Sequence, residues 1–149
     1  MLAGERTHDE VAFVTSVLGL AAGSTILDIA CGQGRILLPL ARSGYLKIGV
    51  DLRPVQLAQT RAVTAATVFQ VGLLQAGMRR FRLSTKVDAV ISMFSAIGYF
   101  ETDVEYQATF QNVFAALRAG GVFLLDTANP LGVFRRYAGK DWQETPDGL

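Results

Sequence analysis

Two aspartates and a pair of closely spaced glycines offer the first chemistry to read. Asp28 lies near the end of a short apolar run, Thr25-Ile26-Leu27-Asp28-Ile29, and Ala30-Cys31-Gly32-Gln33-Gly34 comes next as a small turn. A glycine has no Cβ, so its backbone can approach a ligand closely. A strand that runs through such a turn into a helix makes the nucleotide-binding corner of an α/β domain. Asp28 adds an acceptor beside the turn. Asp51 ends the next apolar run, about twenty positions beyond the glycines, where an acidic residue can accept from both ribose hydroxyls. The same Asp51 is placed to cap the next helix, and the two roles are compatible. No Gly occupies the sixth place of G-x-G-x-x-G and no Gly-Lys-Ser/Thr occurs, so the pattern points to a nucleoside carrying something other than a pyrophosphate.

These residues need a scaffold of alternating strands and helices. Val11, Phe13, Val14, Val17 and Leu18 recur at helical spacing and predict a helix over 9–20, with Thr7 or Asp9 as its cap and Gly19 and Gly23 at its end. His8, near the terminus, reads as a solvent-facing side chain rather than a base. A helix over 35–42 succeeds the glycine turn, with Pro39 expected to kink it. Residues 46–50 read as a second strand, 54–65 as a helix with Pro54 in its first turn, and 67–71 as a third strand. Residues 72–81 then read as a loop. Residues 87–92 form a fourth strand, with Asp88 at its start in a structural role. Thr102 or Asp103 caps a helix running to 118, its inner stripe being Phe110, Val113, Phe114 and Leu117. Gly120 and Gly121 turn the chain into a fifth strand that ends at Asp126. Asn129-Pro130 is a turn signal. The expected fold is a Rossmann-like, doubly wound, mostly parallel sheet with helices on both faces.

The length of 149 residues suits one domain: a helical lead-in over 1–24, a core over 25–130 and a tail over 131–149. Half of the residues are hydrophobic and 18 % are charged, which argues for a packed domain and against disorder. A net charge of +1 gives no electrostatic case for nucleic acid. Arg79, Arg80, Arg82 and Lys86 form a small basic cluster without aromatic residues for base stacking, and read as a solvated loop face. The lone Cys31 excludes an internal disulfide, fits a reducing cytoplasm and disfavours a thiolate metal site, so no metal is expected. No apolar signal core opens the chain, and no apolar stretch is long enough to span a bilayer.

Asp28-Ile29-Ala30-Cys31-Gly32-Gln33-Gly34 resembles the first motif of class I S-adenosylmethionine-dependent methyltransferases, D/E-x-G-x-G-x-G, of which D-x-x-C-G-x-G is a frequent form. Ala30 stands where the first Gly is common. Asp51-Leu52-Arg53-Pro54-Val55-Gln56-Leu57-Ala58 resembles the second motif, G-x-D-x-S-x-x-x-L, which implies Leu52 against the adenine ring. Met78-Arg79 aligns with the usual D-M-R, which puts Gly77 where the family carries an Asp that accepts from the adenine amino group. Loss of that bond is expected to cost ~1–3 kcal/mol of cofactor affinity, with the backbone near Met78 still available to the base. The segment from Ser92 to Phe100 resembles the stretch after strand four, whose backbone holds the methionine part of the cofactor. Leu117 to Asp126 resembles the L-x-P-G-G element, with Ala119 in place of Pro. Asn129-Pro130 is not the N-P-P-Y motif of enzymes that methylate nucleic acids, because that motif comes after strand four.

The resemblance covers roughly 9–130. It implies cofactor contacts from Asp28, Ala30, Cys31, Gly32, Gly34, Asp51, Leu52, Gln56, Gly77, Met78, Met93 and Phe94. It also implies the strand order 3-2-1-4-5-7-6, of which strands six and seven are not found, nor an N-terminal lid. The chain is therefore expected to be a core fragment, a truncated form or an unusually short member. Strand five then becomes an edge that is apolar on both faces, expected to be covered by the tail after Asn129 or by a second subunit.

Methyl transfer is an in-line displacement at an already activated sulfonium methyl, so position and orientation supply much of the rate, and a base is needed only where the acceptor must lose a proton. No base stands out. Tyr99 is the leading candidate for a reactive side chain in the strand-four loop, and reads equally as an aromatic packing there. The expected function is methyl transfer to a small-molecule acceptor held against the 93–100 loop and the end of strand five near Asp126 and Asn129. A second reading is a non-catalytic S-adenosylmethionine-fold module, or a core that needs a partner, which Gly77 and the missing segments favour. A third, an NAD-dependent oxidoreductase, is disfavoured by the incomplete G-x-G-x-x-G and by the strand-five glycines.

Overall fold

The computed structural model describes residues 3–65, 67 and 70–136. Among the described residues the strands are β1 (Thr25–Ile29), β2 (Leu46–Asp51), β3 (Val71–Gln75), β4 (Val87–Ser92) and β5 (Leu117–Leu125); the helices are α1 (Ala3–Leu18), α2 (Leu37–Arg42), α3 (Pro54–Ala65), α4 (Asp103–Ala116) and α5 (Pro130–Arg136). The strands form one parallel sheet in the order β3-β2-β1-β4-β5. This is the doubly wound arrangement expected from the alternation of elements.

Alternate side chains of each strand face opposite layers. Ile26, Ala89 and Ile91 pack with Val11, Val14 and Leu18 of α1 and with Leu40 of α2. Leu57 of α3 joins the same side through Cys31, Leu37 and Leu73. On the other face Leu27, Ile29, Val50 and Val90 pack with Val113 and Ala116 of α4 and with Phe81 of the loop after β3. At the N-terminal edge, Asp88 accepts from the Thr25 amide at 2.7 Å and from Arg118 Nε at 2.5 Å. The Arg118 hydrogen bond, then the Thr25 amide, hold its carboxyl below the usual carboxylate range. Asp88 is thus a clasp across β1, β4 and β5, in the structural role its position implied.

Several boundaries differ from the sequence reading. α1 starts at Ala3, so Thr7 and Asp9 lie inside it rather than at its N-terminal cap. Arg6 Nε bonds Glu10 one turn on, at 3.1 Å, and supports these early turns. Of the expected stripe, Val11, Val14 and Leu18 are buried while Phe13 and Val17 are exposed. α2 starts at Leu37, which leaves Pro39 in the first turn, where its missing N–H has no helical partner to lose. β3 occupies Val71–Gln75 rather than 67–71, because its register pairs Asp51 with Gln75 and sends Leu73 and Leu74 to opposite layers. The glycine at 72 hid this run. β5 begins before its glycines, at Leu117, and takes up Gly120 and Gly121 at a register irregularity against β4.

α4 is rotated from the expected stripe. Thr109, Asn112, Val113 and Ala116 face inward, while Phe114 is 83 % exposed and Phe110 is 42 % exposed. Asn112 draws this face inward by donating to the Met78 carbonyl at 3.1 Å and accepting from Arg82. The basic cluster is the solvated face read from the sequence, all four residues being exposed, and three of them have partners. Arg79 pairs with Glu105, Arg82 with Asn112, and Lys86 donates to the Ala115 carbonyl at 2.5 Å. Asn129-Pro130 opens α5, where Asn129 Oδ1 accepts from the Leu131 amide at 3.0 Å. Among the described residues β5 is an edge, with Val122 and Leu125 partly exposed. Residues 137–149, part of the tail expected to cover that edge, lie outside the described residues.

Candidate functional site

The glycine turn folds back on the sheet through backbone that few side chains permit. Ala30, Gly32 and Gly34 have φ of +61°, +54° and +79°. Left-handed backbone costs a residue with a Cβ about 1–2 kcal/mol, a strain that Ala30 bears. The Cys31 amide reaches the Val50 carbonyl at 3.1 Å, and Thr60 Oγ1 of α3 reaches the Gly32 carbonyl at 3.2 Å. A Cβ on Gly34 would come within 3.0 Å of Leu38 and 3.1 Å of Thr60, so this glycine lets α2 and α3 close in. Thr60 and Gly49 did not stand out in the sequence. A Cβ on Gly49, in β2, would meet Cys31 Sγ and Leu37 Cδ2 each at 2.7 Å. An isolated glycine inside a strand does signal such close approach, so this one was legible. Overpacking typically costs ~1–3 kcal/mol, and Gly49→Ala is expected to lower the stability by that amount in a denaturant titration. Unchanged stability would show that the turn does not press on β2.

Asp51 holds the turn from the other side. Its Oδ2 accepts from the Gly32 amide and its Oδ1 from the Arg53 amide, each at 2.8 Å. Only 8 % of the residue is exposed. Each carboxylate oxygen retains a lone pair. The contact to Arg53 is the capping role read from the sequence, and it coexists with an edge of the residue on the ligand side of the turn.

That edge opens on a cleft of about 580 Å³ at the C-terminal edge of the sheet, where the chain leaves β1 and β4 in opposite directions. The structure brings Ala30, Gly32, Asp51, Leu52, Gln56, Gly77, Met78, Met93, Phe94 and Tyr99 together around it. Asp28, Cys31 and Gly34 do not line it; they build the wall behind. Arg53, Ala76, Arg79, Ala96, Phe100 and Glu105 also line it, unforeseen from sequence. Arg79 lies 5.7 Å from the Phe100 ring centroid and pairs with Glu105, whose carboxylate closes the capping box with Thr102. Only the T-x-x-E spacing announced that arrangement. A more open groove along the solvent face of α4, lined by Tyr106, Phe110 and Phe114 among others, contains nothing from the sheet's C-terminal edge.

Behind the wall, Asp28 is 3 % exposed, and its pKa is pushed up to about 8, first by burial and then by the negative charge of Asp51. Burial, then the Asp28 and Asp51 charges, likewise push up the Cys31 thiol, which makes it a packing group rather than a nucleophile.

On the far side, β4 runs into Met93, Phe94 and Ser95, and then into a single 3₁₀ turn, Ala96–Tyr99. Phe94 and Ser95 are both left-handed, at φ +58° and +57°, a strain of about 1–3 kcal/mol each. Tyr99 is 84 % exposed at the cleft. Asp126 and Asn129, expected beside the acceptor, do not line the cleft. The Asp126 carboxylate accepts from the Phe94 amide, and the Asn129 side-chain oxygen accepts from the Leu131 amide.

Comparison with known proteins places this architecture. Residues 26–121 match the methyltransferase domain family. A dTDP-3-amino-3,4,6-trideoxy-alpha-D-glucopyranose N,N-dimethyltransferase of Streptomyces venezuelae is 36 % identical over 69 % of this chain and 42 % of its own. The crystal structure of Streptomyces venezuelae DesVI superposes with a TM-score of 0.66 at 32 % identity, over 80 % of this chain and 48 % of that one. The glycopeptide N-methyltransferase MtfA shares the fold, with a TM-score of 0.73 at 23 % identity over 80 % and 52 % of the two chains. The chain thus spans about half the length of the relatives it matches. From the glycine turn, the strand order and the family match together, the chain belongs to the class I S-adenosylmethionine-dependent methyltransferase domains.

Proposed function

We propose that this chain binds S-adenosylmethionine in the cleft and transfers its methyl group to a small-molecule acceptor. The observation that carries this reading is the buried Asp51 carboxylate, fixed by the Gly32 and Arg53 amides beside the glycine turn. The cleft volume lies within the range of small-ligand sites. The turn has no Cβ at Gly32, so backbone can meet a ligand there. When bound, the cofactor supplies a sulfonium methyl that needs no further activation. The residues of the chain hold and orient. Asp51 accepts from the ribose hydroxyls, Leu52 and the Met78 backbone take the adenine, with Gln56 beside them, and Ala30, Gly32, Met93 and Phe94 hold the methionine end. Tyr99 meets the acceptor at the mouth. The names of the amino-sugar N,N-dimethyltransferase relatives favour an amine acceptor, whose neutral nitrogen needs no base to attack.

The test is calorimetric titration of the chain with S-adenosylhomocysteine and, separately, NAD. Micromolar binding of the first alone is expected. Binding of neither would overturn the reading for this chain by itself and favour a module that needs a partner. Binding of NAD would favour the oxidoreductase.

Gly77 supports that second reading, because no side chain there can accept from the adenine amino group. It also provides a test. Gly77 is not left-handed, and a Cβ on it would meet only Leu52 Cδ1, at 3.8 Å. A Cβ there is therefore free of clash and strain. Gly77→Asp is expected to tighten S-adenosylhomocysteine binding about tenfold, the worth of one added hydrogen bond to a charged acceptor. Unchanged affinity would place the base edge elsewhere.

The net charge of +1 gives nucleic acid no part in this reading. No described helix is long and apolar enough to cross a membrane, and the reading includes no membrane partner. The single Cys31 suits a cytoplasmic setting. The β5 edge is where a second copy would pair.

A further inference from the structure

We infer that Asp126 is a positioning residue: its carboxylate and main chain clamp Phe94 and Ser95 in left-handed backbone, and so fix the Phe94 wall of the cleft. The role in ligand binding rests on the function proposed above; the clamp itself does not.

Neither Phe94 nor Ser95 is a residue that favours its φ, and two such residues stand in succession. Something outside the segment must hold them. The Phe94 amide donates to Asp126 Oδ2 at 2.8 Å, and the Ser95 amide donates to the Asp126 carbonyl at 3.1 Å. The Asp126 amide returns to the Ser92 carbonyl at 2.9 Å, and the Ala128 amide reaches Ser95 Oγ at 2.7 Å. Four bonds thus join the end of β5 to the turn after β4. Packing anchors Met93, Ala96 and Ile97 on either side, but the Phe94 side chain is itself 43 % exposed, so burial does not fix its backbone. From the other side the Arg35 guanidinium lies 4.6 Å from the Phe94 ring centroid. Arg35 is itself held by Thr7 Oγ1, at 3.1 Å, and by Glu10 of α1. Asp126 does not line the cleft, whereas Met93, Phe94, Ala96 and Tyr99 do. Its effect on a ligand therefore passes through the turn it holds.

The test uses the full chain and two variants, Asp126→Ala and Asp126→Asn; the asparagine keeps an oxygen that can accept from Phe94. In ligand-free protein, amide hydrogen exchange at Phe94 and Ser95 is expected to quicken about tenfold or more in Asp126→Ala and to stay near wild type in Asp126→Asn. S-adenosylhomocysteine is expected to bind about tenfold more weakly to Asp126→Ala, with affinity largely retained in Asp126→Asn. Unchanged exchange in Asp126→Ala would overturn the clamp. Faster exchange with unchanged affinity would overturn its role in binding. A wild-type chain that binds no S-adenosylhomocysteine would sink the proposed function, while the exchange measurement would still decide the clamp. If Asp126→Ala does not fold, Asp126→Glu, which moves the acceptor by one methylene, takes its place in both measurements.

Discussion

Asp28→Asn is expected to flatten a fall in stability that the wild-type protein shows between about pH 4 and about pH 8. The folded-state pKa of Asp28 is raised from 3.8 to about 8, by burial first and the Asp51 charge second. Between those values the native state keeps the proton and the unfolded state has released it. The native state then binds more protons, so stability declines as pH rises through this window and levels off above pH 8. At about 1.4 kcal/mol per pKa unit the contribution is several kcal/mol, a large share of the whole stability of a domain. Lys47, pushed down to about 8 by burial, acts above that window: its stability contribution rises with pH from about 8 towards 10.5. Asparagine has nearly the shape of the protonated acid and never ionises. Denaturation midpoints at pH 5, 6.5 and 8 are expected to drop for wild type and to hold more nearly level for the variant, which should be the more stable of the two at pH 8. Parallel curves would mean that Asp28 titrates normally.

Asp51→Ala is expected to remove most of the affinity for S-adenosylhomocysteine. Two hydrogen bonds to a charged acceptor are lost together, and at about 1.5–3 kcal/mol each this weakens binding by about a hundredfold or more. The loss has a second part, because Asp51 also receives the Gly32 and Arg53 amides. Without it the turn loses a partner that sets its shape, and stability should fall by ~1–2 kcal/mol. The two variants are linked. Asp51 is the second cause of the raised Asp28 pKa, so in Asp51→Ala the pH midpoint assigned to Asp28 should move down. Calorimetry at one pH measures the first effect, and the denaturation series measures the other two. Near wild-type affinity in Asp51→Ala would remove Asp51 from the site.

Local pattern made much of this legible. The alternation of apolar runs and helical stripes determined the fold class, and Asp28, Gly32, Gly34 and Asp51 marked the ligand corner, because turn chemistry and strand-end carboxylates depend on residues close in sequence. α3 (Pro54–Ala65) and β4 (Val87–Ser92) lie where their residues placed them. Contacts between distant segments decided the rest. β3 shifted toward Gln75 because pairing with Asp51 sets its register, and α4 rotated because Asn112 bonds Met78 and Arg82 on another loop. Asp28 reads as a ligand contact in the sequence, and the fold adds that it is buried, 3 % exposed, with the Asp51 charge acting on it. Asp126 reads as an acceptor-side group in the sequence, and the fold adds that its carboxylate accepts from the Phe94 amide. A sequence displays which groups can donate, accept or pack. Which partner each one meets is a property of the folded chain, because those partners lie tens of residues away and only the sheet brings them together.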